Sequence, residues 1–179
     1  MPCDLQFERQ CWADGHALVA GVDEAGRGPL AGPVVAGAVI LPDGFEHAVL
    51  TDSKKLSPKV RESLYEELTH WDGLRWASAK AEPKEIDQIN ILKASHVAMA
   101  RAVEALPSDA VPEMVLIDGL RVPNFPYPQT PIVKGDSLSL SIAAASIIAK
   151  VERDREMVAM DAKYPGYGFA KHKGYPTKQ

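Results

Sequence analysis

The sequence is short of sulfur, of long apolar runs and of positive charge, and each shortage removes a class of protein. Only two cysteines occur, Cys3 and Cys11. They have neither a Cys-x-x-Cys spacing nor companion histidines, so neither a disulfide framework nor a zinc site is indicated, and free thiols are expected. The longest apolar stretches, residues 34–41 and 142–149, fall far short of the ~20 residues that span a bilayer. No membrane segment is expected. Residues 1–12 carry Asp4, Glu8 and Arg9 where a secretory signal needs a basic segment and then an apolar one, so a cytoplasmic protein is expected. Repeats, low-complexity tracts and interdomain linkers are also missing. A chain of 179 residues then reads as a single domain over residues 1–179.

What remains is an ordinary globular composition, 46% hydrophobic and 25% charged, which permits a sizeable core. The net charge of -4 argues weakly against a polyanionic partner, because nucleic-acid affinity is largely phosphate neutralisation by Lys and Arg. Its distribution says more. Residues 132–179 hold eight Lys/Arg against five Asp/Glu, which leaves -7 on residues 1–131. A basic C-terminal part beside an acidic remainder fits a phosphate-binding face next to a carboxylate site, or simply solvated helix faces.

Apolar runs at residues 17–23, 34–41 and 113–118 and an alternating stretch at residues 74–81 read as strands, with a short further strand at Ile132-Val133. Ser57-Pro58 opens a helix that ends near Gly73. Residues 85–105 read as one helix with Ile86, Ile89, Val97, Ala100 and Val103 mostly on one face, and residues 138–160 as a long helix packed on a sheet through its small, apolar first half. Residues 121–131 hold four prolines and read as an irregular loop. The fold class is α/β, a mixed sheet of about five strands flanked by helices.

Four acidic residues stand at or just after strand ends: Asp23, Glu24, Asp118 and Asp136. Carboxyl ends of neighbouring strands converge in such sheets, and converging carboxylates call for a hard divalent cation, which makes a phosphodiester site possible. Singly, each has a structural alternative. Asp118-Gly119 can be a turn, and Asp136-Ser137 can cap the long helix. The glycine-rich residues 25–33 suit a close backbone approach to phosphate or sugar, but form neither a Walker loop nor a dinucleotide fingerprint.

Taken together, Asp23-Glu24-Ala25-Gly26-Arg27-Gly28-Pro29, Asp52-Ser53-Lys54-Lys55-Leu56, Ile117-Asp118-Gly119, Lys134-Gly135-Asp136 and the run from Ala144 to Arg155 resemble ribonuclease HII, in family order. The resemblance implies a ribonuclease H-like fold. It also implies an endonuclease dependent on Mg²⁺ or Mn²⁺, one or two ions at a time, that cuts RNA in RNA/DNA hybrids and single ribonucleotides in duplex DNA. By resemblance, Asp23, Glu24, Asp118 and Asp136 are the metal-binding, catalytic carboxylates. Gly26, Arg27 and Gly28 read the 2′-hydroxyl at the junction, Tyr175 stacks on the following deoxyribose, and Lys54, Lys55 and Lys134 contact phosphates. Backbone reading of a 2′-hydroxyl separates RNA from DNA without reading a base, so no sequence specificity is expected.

Asp154 reads as a helix-surface ion-pair partner rather than a ligand, and Asp52 is left out of the metal-binding set. The family's chain usually continues into a further helix beyond Gln179, so part of the duplex-binding surface is expected to be missing. A monomer is expected, with no membrane contact, and no clamp-binding peptide is recognisable. The competing readings are another ribonuclease H-superfamily DNA nuclease, a non-catalytic hybrid-binding module, and a purely structural metal site.

Overall fold

A computed structural model describes residues 3–177. Local chemistry starts several of its elements. Helix α2 (Pro58–Thr69) begins where the Ser57 side chain accepts the Val60 amide, with proline in the first turn, where its missing N–H costs nothing. Helix α5 (Leu140–Lys163) begins at Ser139, whose hydroxyl accepts the Ile142 amide at 3.2 Å. Short helix α1 (Gln6–Ala13) precedes the sheet and α6 (Phe169–His172) follows α5.

Five strands form one sheet: β1 (Val19–Ala25), β2 (Val34–Ile40), β3 (Arg75–Ala81), β4 (Met114–Asp118) and β5 (Gln129–Ile132), in the order β3-β2-β1-β4-β5. β1 pairs antiparallel with β2 and parallel with β4, while β2–β3 is antiparallel and β4–β5 parallel. β2 is buried along its whole length, as a central strand covered on both faces must be. On one face Ala20, Val22, Ala36 and Ala38 pack with Ala94, Ala98 and Ala102. On the other, Val39 packs with Leu64, Leu68, Ala144 and Ile148. Gly21 and Gly37 let α5 lie directly on the sheet, since a Cβ there would stand 2.2 Å from the Ser141 carbonyl carbon and 2.5 Å from the Ala145 oxygen.

The structure corrects four sequence expectations. Residues 85–105 are not one helix: α3 (Pro83–Ile89) and α4 (Ile91–Glu104) meet at Asn90, which takes φ 70° and caps α4 through the Lys93 amide. Asparagine tolerates the left-handed region and supplies its own cap. The buried side of α4 is Ala94, Ser95, Ala98, Met99, Ala102 and Val103, so Val97 and Ala100 lie beside that face. Thr130 and Pro131 belong to β5, an edge strand, where a missing proline N–H leaves no ladder bond broken. The long helix starts two residues later than expected and is preceded by a 3₁₀ turn, Gly135–Ser137, so Ser139 and not Asp136 is its cap. Among the described residues no helix is long and apolar enough to cross a membrane.

Candidate metal and nucleic-acid site

Side chains alternate faces along a strand. On β1, Val19 packs with Leu116 and Ile142, and Gly21 faces Ser141, whereas Ala20 and Val22 pack toward α4. Asp23 therefore faces the α5 side and Glu24 the α4 side. On β4, Leu116 shares the α5 side, which puts Asp118 beside Asp23. Asp136 arrives in the turn Gly135–Ser137, and its amide donates to Asp118 Oδ1 at 3.3 Å. Gly135 is crowded: a Cβ would stand 2.6 Å from Ile142 Cδ1 and 3.4 Å from Asp118 Oδ1. One carboxylate oxygen each of Asp23, Asp118 and Asp136 lies within 4.8 Å of the others.

The structure brings together three of the four expected carboxylates. Glu24 instead accepts Arg27 Nη1 at 3.2 Å. Asp23 and Asp136 are 3% and 6% exposed, so water reaches their carboxylates poorly, and among the described residues neither forms a direct ion pair. Burial, then Glu24 and Asp118, push the Asp23 carboxyl well above its usual range. Burial, Asp118 and Asp52 raise Asp136, and burial raises Glu24 despite Arg27. Such a set suits a hard divalent cation. All donors are oxygens, and two oxygens bound at ~2.0–2.6 Å to one ion stand no more than about 5 Å apart, consistent with their spacing of at most 4.8 Å.

The expected lysines are placed unequally. Lys54 sits in the 3₁₀ turn Ser53–Lys55, where burial pulls its pKa down but Asp23, Asp136, Asp52 and Asp118 together raise it. Lys55 Nζ donates to Ser137 Oγ at 2.9 Å, tying that turn to the one carrying Asp136. Lys134 is exposed, with φ 59°. Asp52, left out by sequence reasoning, accepts the Lys54 amide at 2.9 Å and bears on Asp136 electrostatically. Nothing local in the sequence announces that proximity.

Past Glu24, the chain turns into Gly26-Arg27-Gly28. Gly26 takes φ 117°, and a Cβ there would stand 2.5 Å from Arg153 Nε and 2.6 Å from the Pro33 oxygen. A Cβ on Gly28 would stand 3.6 Å from Tyr175 Cε1, so the tyrosine lies against this loop. Tyr175 is 45% exposed, with Lys150 Nζ 5.8 Å from its ring centre. Asp154 pairs with Lys150 and Arg61, at 2.7 and 3.8 Å. Arg153, by contrast, was missed. It is buried, and the available signal was its place four residues after Ala149 and four before Met157, both buried on α5.

The family model for Ribonuclease HII matches residues 20–179. The chain belongs to the ribonuclease HII family. Ribonuclease HII of Myxococcus xanthus is 55% identical over 174 residues, covering 97% of this chain and 58% of that protein. Ribonuclease HII of Ruminiclostridium cellulolyticum is 53% identical over 175 residues, covering 98% and 68%. The chain thus spans little more than half to two thirds of these relatives' lengths. Ribonuclease H2 from Pyrococcus horikoshii superposes with a TM-score of 0.68 at 31% identity, over 89% of this chain and 81% of that one. An Archaeoglobus fulgidus ribonuclease HII, solved in complex with PCNA, gives 0.68 at 29% identity over 90% and 83%. The mixed five-stranded sheet expected from sequence is the ribonuclease HII fold.

Proposed function

We propose that this chain carries the catalytic centre of a metal-dependent endonuclease. It hydrolyses the RNA strand of RNA/DNA hybrids and cuts 5′ of a single ribonucleotide in duplex DNA, leaving 3′-hydroxyl and 5′-phosphate ends. The observation that carries this reading is the meeting of Asp23, Asp118 and Asp136 within 4.8 Å on the rim where Gly26-Arg27-Gly28 lies against Tyr175.

Asp23, Asp118 and Asp136 would hold Mg²⁺ or Mn²⁺, whose charge would offset the repulsion that raises the Asp23 and Asp136 carboxyls. Such an ion supplies an activated water and charge neutralisation at the leaving oxygen. Glu24 lies outside their circle, held by Arg27. A phosphate competes for that guanidinium, which frees Glu24 to join the other carboxylates. Lys54, Lys55 and Lys134 contact the strand's phosphates, which sets position without reading sequence. Main-chain groups of Gly26, Arg27 and Gly28 engage the 2′-hydroxyl, and the Tyr175 ring packs on the deoxyribose beyond it. A site built to bond a hydroxyl leaves buried polar groups unpaired when that hydroxyl is absent, a difference on the order of 10⁴-fold.

The test is a duplex carrying one ribonucleotide, incubated with Mg²⁺, with Mn²⁺ and with EDTA, beside an all-DNA duplex. Cleavage 5′ of the ribonucleotide in the metal arms alone is expected. Equal cutting of the all-DNA duplex, or cutting on the 3′ side, overturns the assignment.

A further inference from the structure

Arg153 is a buried cation to which the proposed chemistry gives no task. It is 1% exposed, and its neighbour Asp154 pairs with Lys150 and Arg61 instead. Its hydrogen bonds run to main-chain oxygens. Nε donates to Pro33 at 2.9 Å, Nη2 to Ala31 at 3.0 Å and Nη1 to Lys173 at 3.0 Å. The first two acceptors lie in the loop that continues Gly26-Arg27-Gly28, and the third lies two residues before Tyr175. The Leu30 amide, donating to the Gly174 oxygen at 2.9 Å, closes the same junction. Its glycines leave no slack. A Cβ at Gly32 would stand 2.3 Å from Met157 Sδ, and one at Gly174 2.2 Å from the Ala31 oxygen.

One planar fork thus bonds both segments at once, at fixed angles. A lysine ammonium on a flexible stem cannot reproduce this geometry. Burying a guanidinium among neutral carbonyls is a poor device for stability, because desolvation offsets much of the gain. It is a good device for fixing one segment against another.

We propose that Arg153 is a positioning residue that sets the gap between the Gly26-Arg27-Gly28 backbone and the Tyr175 ring. The two elements then address adjacent sugars, one with a 2′-hydroxyl and one without. This inference rests on the junction-cutting reading above. Arg153 touches neither metal nor substrate, and acts through Tyr175 and the loop.

The experiment compares wild type, Arg153→Lys, Tyr175→Ala and the double variant. Each is measured for Mn²⁺ binding, for affinity toward a one-ribonucleotide duplex and an all-DNA duplex, and for KM and kcat on the former. In Arg153→Lys, Mn²⁺ affinity stays within about twofold, KM rises roughly tenfold with kcat changed far less, and the junction preference drops. The double variant is little worse than Tyr175→Ala alone, because residues acting through one contact are coupled. If Arg153→Lys does not melt cooperatively, Gly174→Ala takes its place. Its Cβ would press on the Ala31 oxygen, one of the three acceptors of Arg153, and so disturb the same junction while leaving the Arg153 side chain itself in place. A folded variant with wild-type junction affinity and preference overturns the proposal. So do effects that multiply independently with Tyr175→Ala, as a merely structural role requires. If the wild type itself does not prefer the junction duplex, the functional reading has failed, and that result is separable from failure of the Arg153 assignment.

Discussion

The carboxylate cluster and the rim beside it adjoin in space, yet they are held by different forces. Asp23 and Asp118 stand where strand parity and a parallel β1–β4 register put them, and Asp136 is tied in by its amide. Backbone pairing fixes the cluster while its own charges oppose it. The rim is the reverse. Its loops have no ladder of their own, but Arg153, the Leu30–Gly174 bond and close glycine contacts satisfy and lock them. On the proposed function, the chemistry is carried on paired backbone strained electrostatically, and the recognition on irregular backbone relaxed by a single buried fork. Active sites commonly tolerate destabilising charge that an ordinary core would not.

Asp136→Asn separates the two regions most sharply. Cleavage is expected to fall by at least ~10²–10³-fold, the scale on which one preorganised charge-stabilising group acts, while the metal-free fold holds or gains thermal stability because a raised carboxyl is removed. Single-turnover cleavage and melting in EDTA read the two effects. Wild-type cleavage by this variant would take Asp136 out of the site.

Tyr175→Ala attacks the other side. Loss of one stacking contact, worth about 1–3 kcal/mol, raises KM on the one-ribonucleotide duplex by roughly 5- to 150-fold and leaves Mn²⁺ binding alone. A parallel loss of metal affinity would show that cluster and rim are not separable. Lys134→Ala is milder. The side chain is exposed, so the phosphate contact proposed for it is a screened one. The slope of log affinity against log salt should become shallower by about 0.9, equally for junction and uninterrupted hybrid. An unchanged slope would remove Lys134 from the phosphate path.

The smallest effect is on pH dependence without metal. Asp23, Glu24 and Asp136 have folded-state pKa values raised above their usual ones, so the folded chain holds protons that the unfolded chain has already released. Their contribution is most favourable below the ordinary carboxylate pKa, and is lost as pH rises through the raised values. Glu85, lowered to about 2 by the Arg101 side chain and the Glu82 amide, acts oppositely and loses its contribution as pH falls toward that value. In EDTA, the stability advantage of Asp23→Asn over wild type should widen as pH rises above the ordinary carboxylate range and shrink once Mg²⁺ is added. A pH-independent difference would mean that the cluster is not strained by its charges.

Much of this was legible in the linear chain. Ser57-Pro58 marked α2, and apolar runs and one alternating stretch marked β1 to β4, because caps and periodicity act over a few residues. The strand-end acids were visible for the same reason. The break at Asn90 was less so. A helix pattern tolerates one asparagine, and only the packed sheet decides whether α3 and α4 bend apart there. Pro131 in β5 was hidden too, since proline argues against a strand until the strand is known to be an edge.

By itself the sequence determined the order of elements, the positions of the carboxylates along the strands, and membership in the ribonuclease HII family, all carried by residues close together or by contiguous motifs. Tertiary structure alone decided that Glu24 turns away to Arg27 while Asp23 turns toward Asp118, that Asp52 comes near Asp136, and that Arg153 bonds Pro33, Ala31 and Lys173. Those outcomes depend on which strand lies beside which and on contacts such as Arg153 to Pro33, 120 residues apart. No local propensity encodes such a contact, because its energy exists only once the sheet and α5 have packed.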